Sequence, residues 1–166
     1  MKTHWHLFTD GSVNTQSKVG FGACLWLREF NDATDSLKDA VKTKRFEQTS
    51  STRLELQTLI WSLNERLALA NMNSIELTIY TDSQNIIDLP KRRERLERDN
   101  YFSSNKKQLK NHQLYRTFYS LMDQMRFNLV KVKGHQPPRE RNLIAQRFSL
   151  VDHAARRALR ADELCR

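Results

Sequence analysis

The chain has 166 residues, and its 28 Lys and Arg side chains outnumber its 19 Asp and Glu side chains, which gives a net charge of +9. This length is enough for one domain with a buried core, and no apolar run approaches the roughly 18 residues of a membrane span. The two cysteines lack a CxxC pairing, which excludes a disulfide framework and favours a reducing compartment. We therefore expect a single-domain cytoplasmic protein without a signal peptide.

The positive charge is concentrated in the C-terminal half. Residues 1–89 carry 9 basic and 11 acidic side chains, whereas residues 90–166 carry 19 basic and 8 acidic ones. A basic region of this kind predicts a polyanionic partner. The alternative interpretation is a basic surface with no specific partner.

The N-terminal half is predicted to contain four strands and one long helix. Apolar and alternating patterns predict strands at residues 5–9, 20–30 and 41–48, separated by polar, turn-forming segments at 10–19 and 31–39. An apolar stripe that includes Leu56, Leu59 and Leu63 predicts a helix over residues 52–70. Ile75–Thr81 then has the pattern of a buried strand. A strand, a helix and a strand in succession predict parallel pairing in an α/β fold.

The C-terminal half is predicted to be mostly helical. Residues 83–89 have the pattern of a short helix that Pro90 ends. Residues 91–110 are highly charged and irregular in pattern, with a helix through Arg98 left open, and a helix is predicted over 111–126. A fifth strand at 127–133, a loop at 134–149 and a terminal helix at 150–164 complete the chain.

Four carboxylates lie at the junctions of these elements. Asp10 and Asp82 follow predicted strands, while Glu55 and Asp152 lie near the starts of predicted helices. Ligands of α/β sheets gather at the carboxyl ends of the strands, so the four acids are placed to converge. Acids that converge repel one another, and a bound cation would stabilise them. The pattern predicts metal-dependent hydrolysis of a phosphodiester.

Each acid also has a purely structural interpretation. Asp10-Gly11 is a common turn dipeptide. Thr52 and Glu55 have the spacing of a capping box, in which the glutamate would bond only to the backbone. Asp82 and Asp152 could both be helix N-caps. The joint placement of the four acids favours the metal site over these alternatives.

Five motifs in order resemble the type 1 ribonucleases H over about residues 5–160. They are LFTDGS, TRLEL, IYTDSQ, VKGH and VDHAARRA, with a shorter match at residues 110–115. The resemblance implies an RNase H-like fold, in which three antiparallel strands and then parallel strands form a mixed five-stranded sheet flanked by helices. It also implies an endonuclease that hydrolyses the RNA strand of RNA–DNA hybrids and leaves 5′-phosphate and 3′-hydroxyl ends.

The same resemblance implies roles for individual residues. Asp10, Glu55, Asp82 and Asp152 would hold two Mg²⁺ ions, with Mn²⁺ as a substitute, because carboxylate oxygens suit such hard cations. His135 would move protons and help to release the product; its alternative is an exposed loop histidine.

The resemblance also implies how an RNA–DNA hybrid would be held. The candidates for contacts in the minor groove are Ser12, Asn14, Ser51, Thr52 and Gln84. Asn111, with Ser50 and Arg53, would hold a DNA phosphate. A basic handle at about residues 91–110 would carry Lys91, Arg92, Arg93 and Arg95; its alternative is a solvated helix face. Ser51-Thr52 and Phe148 stand where the family usually has asparagines, so the substrate-reading positions depart from the family more than the acids do.

Two other functions remain open at this stage. One is a related nuclease or strand-transfer domain that acts on DNA or duplex RNA. The other is a catalytically silent hybrid-binding module, against which the four retained acids argue. No obligate protein partner is evident, and we expect a monomer.

Overall fold

A computed structural model describes residues 2–28, 34–69, 74–134, 136–140 and 142–166. Its elements along the chain are β1 (Thr3–Asn14), β2 (Val19–Leu27), α1 (Thr34–Lys38), β3 (Lys42–Phe46), α2 (Ser51–Leu67), β4 (Ile75–Thr81), α3 (Gln84–Arg98), α4 (His112–Gln124), β5 (Phe127–Lys131) and α5 (Leu143–Leu164). A short 3₁₀ turn at Pro138–Glu140 precedes α5.

The described strands form one mixed sheet in the order β3-β2-β1-β4-β5. β1 pairs antiparallel with β2, and β2 pairs antiparallel with β3. β4 lies parallel to β1 on its other side, and β5 lies parallel to β4. The predicted fold class is therefore confirmed.

Each face of the sheet is covered by helices, and the alternation of side chains along β1 shows why. Leu7 points into a core with Leu59 and Phe118, contributed by α2 and α4. Phe8 points to the opposite face and packs in a second core with Val151 and Ala155 of α5. Because successive side chains of a strand point to opposite faces, one apolar segment serves both layers.

A close contact between β2 and α2 fixes the position of the long helix. A Cβ atom added at Gly22 would lie 2.1 Å from Thr58 Oγ1, so only glycine lets the helix approach the strand this closely. The Thr58 hydroxyl donates a hydrogen bond to the Leu54 carbonyl (2.7 Å) and is fully buried. The contact holds the first turns of α2, which carry Glu55, against the sheet.

The strand that carries Asp10 is longer than predicted. The prediction of a turn-forming segment at residues 10–19 is wrong for its first half, because β1 continues through Asp10 and Gly11 to Asn14. The cause is tertiary pairing, since the ladder with β2 continues to Asn14 and Val19. The turn itself is short, and Lys18 adopts a positive φ of 59° within it.

Two helix boundaries also differ from the predictions. Pro90 does not end a helix, because α3 continues through it from Gln84 to Arg98. Leu89 and Leu96 are buried on either side of the proline, and their packing offsets the backbone hydrogen bond that proline cannot donate. The predicted loop at 134–149 ends early, because α5 begins at Leu143.

The other predicted elements are confirmed with shifted ends. Strand β4 has the predicted bounds, and β2, β3, β5, α2 and α4 differ from their predictions by a few residues. The short helix α1 lies in a segment that was predicted to be a loop, and Leu37 anchors it in the core. The predicted break between α2 and β4 falls on residues 71–74, of which 71–73 lie outside the described residues.

Candidate active site

Asp10 lies where β1 loses one of its two neighbours. Pairing between β1 and β4 ends at Phe8 and Tyr80, whereas pairing with β2 continues past Asp10. Asp82 directly follows β4, so the two aspartates lie at the same edge of the sheet. The convergence of parallel strand ends thus brings these two acids together, as the sequence predicts.

The segment after β5 comes to the same place. Its Val132 amide donates a hydrogen bond to the Thr81 carbonyl (2.8 Å), which continues the pairing beyond the strand. A Cβ atom added at Gly134 would lie 3.1 Å from Asp82 Oδ2, so the backbone of this segment lies beside the carboxylate. His135, the next residue, lies outside the described residues, and its role stays a prediction.

Glu55 faces Asp82 from α2. The N-cap of this helix is Ser50, whose side chain accepts a hydrogen bond from the Arg53 amide, so Glu55 does not belong to a capping box. Instead, Glu55 Oε2 accepts a hydrogen bond of 2.6 Å from the buried hydroxyl of Ser83. Burial raises the pKa of Glu55, the Ser83 hydrogen bond lowers it, and repulsion by Asp82 raises it.

Asp152 reaches the site from the middle of α5. The prediction that it opens the last helix is wrong, because the Asn142 side chain caps α5 by accepting a hydrogen bond from the Ala145 amide (2.8 Å). Asp152 is therefore no N-cap, and neither is Asp82, since Ser83 caps α3. Asp152 Oδ1 instead pairs with Arg156 Nε at 2.9 Å, one turn further along the helix.

The pKa of Asp10 shows that the clustered acids repel one another. The pKa of Asp10 is raised to about 8, first by burial and then by repulsion from Asp82. The Gly11 amide opposes this shift by donating a hydrogen bond, whereas the charge of Asp152 and a hydrogen bond to it raise the pKa further. Asp10 thus interacts with Asp82 and Asp152, and Asp82 interacts with Glu55, so the four acids form one electrostatic cluster.

The donor set of this carboxylate cluster suits a hard divalent cation. Its ligands would all be carboxylate oxygens, and the raised pKa of Asp10 marks a deficit of positive charge that such an ion would fill. Among the residues that the structure describes, no three acids, histidines or cysteines are arranged as a ready metal site. Glu55 and Asp152 are held by Ser83 and Arg156 instead. The chemistry and charge of the cluster fit the ion, whereas its side chains are engaged within the protein.

Ser83 and Arg156 are the two site residues that sequence reasoning missed. Ser83 belongs to the IYTDSQ motif, and its place directly after a strand-ending aspartate was a usable N-cap signal. Arg156 lies four residues after Asp152, which is the spacing at which helical side chains meet. Both residues lie within the helix predicted at 150–164, so this pairing could have been predicted from the sequence.

The candidate substrate contacts are partly engaged within the protein. Ser51 and Thr52 are exposed at the start of α2, and Ser12 is half-buried on β1. The Asn14 side chain closes its own turn by accepting hydrogen bonds from the backbone amides of residues 16 and 17, and it donates one to Glu163 (2.6 Å). Ser12 and the pair at the start of α2 are thus better placed for an external contact than Asn14.

Two further candidates are held by neighbouring side chains. Gln84 donates a hydrogen bond to Asp88 (2.9 Å) and accepts one from Lys131 (2.5 Å). Asn111 Oδ1 accepts a hydrogen bond from Arg53 Nη1 (3.1 Å), which joins the N-termini of α2 and α4. The structure therefore brings Arg53 and Asn111 together, as their shared role in the prediction requires.

The basic segment consists of the second half of α3 and a tight loop. The loop closes through a bridge between Phe102 and Gln108. Arg93 is tied to Asp123 by two hydrogen bonds of 2.7 and 2.8 Å and to Glu97 by one of 2.8 Å. Lys91 and Arg95, in contrast, are exposed. Arg93 thus fastens α3 to α4, and the exposed pair is the better candidate for a contact with a polyanion.

Solved structures of low sequence identity share this architecture. The chain is similar to LC9-RNase H1, described as a type 1 RNase H with the type 2 active-site motif, at a TM-score of 0.71 and 16% identity over 95% of this chain and 72% of that one. It is similar to the PFV RNase H domain at a TM-score of 0.69 and 15% identity over 92% of each chain. A foamy viral protease-reverse transcriptase in complex with dsDNA gives a TM-score of 0.60 and 9% identity over 93% of this chain and 94% of that one.

The mixed sheet and its helices are thus those of an RNase H-like fold. The family model for RNase H matches residues 2–160, and the chain belongs to the RNase H family. A search of curated protein sequences finds no match. Within the described residues, no helix has both the length and the apolar character needed to cross a membrane. Family and fold together support a nuclease, a hydrolase that binds nucleic acid, with RNA–DNA hybrids as its substrates.

Proposed function

We propose that the chain is a single catalytic domain that hydrolyses the RNA strand of RNA–DNA hybrids with the help of two divalent metal ions. The observation that carries the proposal is the cluster formed by Asp10, Glu55, Asp82 and Asp152 within a chain of the RNase H family. Outside a hydrolytic metal site, such a cluster would only destabilise the fold and repel a phosphodiester.

The chain's own residues define what the site does. The four acids would supply oxygen ligands for Mg²⁺ or Mn²⁺. Asp10, which interacts with both Asp82 and Asp152, would be the central ligand of the four. Bound there, the ions would activate a water and stabilise the leaving oxygen of the scissile phosphate. The backbone at Gly134 lies beside Asp82. We propose that His135 moves protons during the reaction.

Strand choice and end chemistry test this reaction directly. The protein is mixed with Mg²⁺ and hybrids in which either the RNA or the DNA strand is end-labelled. We expect cuts in the RNA strand, with products that carry 5′-phosphate and 3′-hydroxyl ends. Cuts in the DNA strand, or products with a 2′,3′-cyclic phosphate, would contradict the proposed reaction.

The Ser83 hydroxyl is expected to support activity by holding Glu55. Ser83→Ala removes this hydrogen bond and also the N-cap of α3, so we expect a loss of about 1 kcal/mol in stability. Because hydrogen bonds to charged groups contribute roughly 1.5–3 kcal/mol, the cleavage rate should fall on the order of tenfold or more. Thermal unfolding and single-turnover cleavage measure the two effects.

Matched variants separate the two roles of Ser83. Ser83→Thr keeps the hydroxyl and should retain most of the activity. Ser83→Asp keeps an N-cap but places a carboxylate against Glu55, so its stability in EDTA should fall and its activity should be low. Full activity in Ser83→Ala would show that Glu55 needs no such support.

The exposed basic residues of α3 are expected to contact phosphates of the hybrid. Replacing Lys91 and Arg95 with alanine should weaken hybrid binding and flatten its salt dependence, with the slope falling by about one for each phosphate that the variant no longer neutralises. Fluorescence anisotropy with a labelled hybrid at several salt concentrations measures this. Lys2→Ala with Arg126→Ala, which removes the same charge near the opposite edge of the sheet, is the matched control. An unchanged slope in the α3 variant would mean that this segment is not the handle.

A further inference from the structure

The carboxylate cluster contains a cation supplied by the chain itself. Asp152 and Arg156 lie one turn apart on α5, and Arg156 Nε lies 2.9 Å from Asp152 Oδ1. The Asp152 side chain is 19% exposed and the Arg156 side chain is 45% exposed, so the pair lies at the mouth of the site. Helical residues four apart are neighbours, so the backbone places this guanidinium on the cluster.

Because Asp152 belongs to the cluster, its ion pair with Arg156 also affects the repulsion between Asp152 and Asp10. The same carboxylate that pairs with Arg156 also repels Asp10 and hydrogen-bonds to it. Asp152 therefore lies between a positive charge on its own helix and a second acid on β1. Without a bound metal ion, the guanidinium offsets part of the repulsion between these two acids.

A divalent cation would compete with this arrangement. An ion that takes Asp152 as a ligand must share the carboxylate with the guanidinium, and the two positive charges repel each other. Ser83 differs in this respect, because its hydroxyl holds Glu55 without adding a charge. Of these two partners, Arg156 is therefore expected to weaken metal binding, whereas Ser83 is not.

We propose that Arg156 is a positioning residue that acts as an internal counter-ion of the carboxylate cluster: it holds Asp152 when no metal ion is bound and weakens the binding of divalent cations. The inference rests on the proposed function, because it takes Asp152 as a metal ligand. Its consequence is that loss of the arginine charge tightens metal binding and destabilises the metal-free protein. An ion pair that only stabilised α5 would leave metal affinity unchanged.

The test measures metal binding and stability on the full chain, separately from activity. Calorimetric titration with Mn²⁺ and Mg²⁺ compares the unmodified protein with Arg156→Gln, and we expect roughly two- to fivefold tighter binding in the variant, the effect of removing one partly exposed charge. Arg156→Lys keeps the charge and should bind metal as the unmodified protein does. Arg157→Gln removes an identical charge from the next position of α5 and is the matched control.

Thermal unfolding supplies the second readout. Arg156→Gln should melt at a lower temperature than the unmodified protein in EDTA, and the difference should shrink in saturating Mg²⁺. Equal or weaker metal binding by Arg156→Gln, while the unmodified protein binds metal, would overturn the counter-ion role and leave the proposed function standing. Absence of metal binding by the unmodified protein would overturn both.

Discussion

Asp82→Asn should abolish most of the hydrolysis of an RNA–DNA hybrid while the protein stays folded and still binds the hybrid. Asp82 interacts with both Asp10 and Glu55, and an amide cannot replace a charged ligand between them. Metal ions contribute several kcal/mol of transition-state stabilisation, so the loss of a metal ligand should lower the cleavage rate roughly 100- to 1000-fold. Single-turnover cleavage measures the rate, and anisotropy measures binding of the hybrid.

Asp123→Asn is the matched control for this variant. Asp123 is an exposed aspartate of α4 that pairs with Arg93 near the opposite edge of the sheet. The same chemical change there should leave the cleavage rate within about twofold and change stability little, because exposed ion pairs are screened by solvent. Equal activity in Asp82→Asn and the unmodified protein would exclude Asp82 as a metal ligand.

Asp10→Asn should stabilise the metal-free protein, and the gain should grow with pH. The pKa of Asp10 is about 8 in the folded protein against 3.8 for the ordinary side chain, so the folded state binds more protons between these values. The stability of the unmodified protein therefore falls as pH rises from about 4 to about 8 through this group. The asparagine cannot ionise, so its advantage is absent near pH 4 and complete above pH 8.

Thermal unfolding in EDTA at pH 5 and pH 8.5 measures this effect. A pKa difference of one corresponds to about 1.4 kcal/mol, so even part of the full difference gives a gain on the order of a few kcal/mol and several degrees in Tm at the higher pH. Glu94→Gln, which removes an exposed carboxylate of α3, should show no such growth with pH. Saturating Mg²⁺ should reduce the advantage of the asparagine, because the cation stabilises the ionised aspartate. A gain that is the same at both pH values would contradict the clustering of the acids.

Much of the fold could be predicted because its central elements carry strong local signals. Ile75–Thr81 is a continuous run of β-forming residues, and its predicted bounds match those of β4. Asp10 shows the limit of such reasoning. Its Asp-Gly pair has the composition of a turn, yet pairing with β2 draws it into the strand. The position of the acid at the edge of the parallel pairing was predicted, whereas the strand's continuation required the tertiary structure.

The helical boundaries were less predictable for a related reason. Pro90 is a strong helix breaker in isolation, and only the burial of Leu89 and Leu96 explains why α3 passes through it. Asp152 was predicted to open a helix because the preceding segment is rich in arginine and proline. Asn142 starts the helix earlier and thereby makes Asp152 a mid-helix residue rather than an N-cap. The acids of the site could be predicted from the sequence, whereas the hydrogen bond from Ser83 to Glu55 required the tertiary structure.

Cleavage of an end-labelled RNA strand, annealed to DNA and incubated with Mg²⁺, tests the central claim most directly. The same RNA is run single-stranded and in an RNA duplex, next to labelled duplex DNA and to the Asp82→Asn protein. We expect cutting of the RNA in the hybrid alone, and none of comparable rate with Asp82→Asn. Hybrid binding without cutting, in Mg²⁺ and Mn²⁺ alike, would contradict the account and indicate a binding module, whereas cutting of duplex DNA or duplex RNA would contradict the proposed substrate.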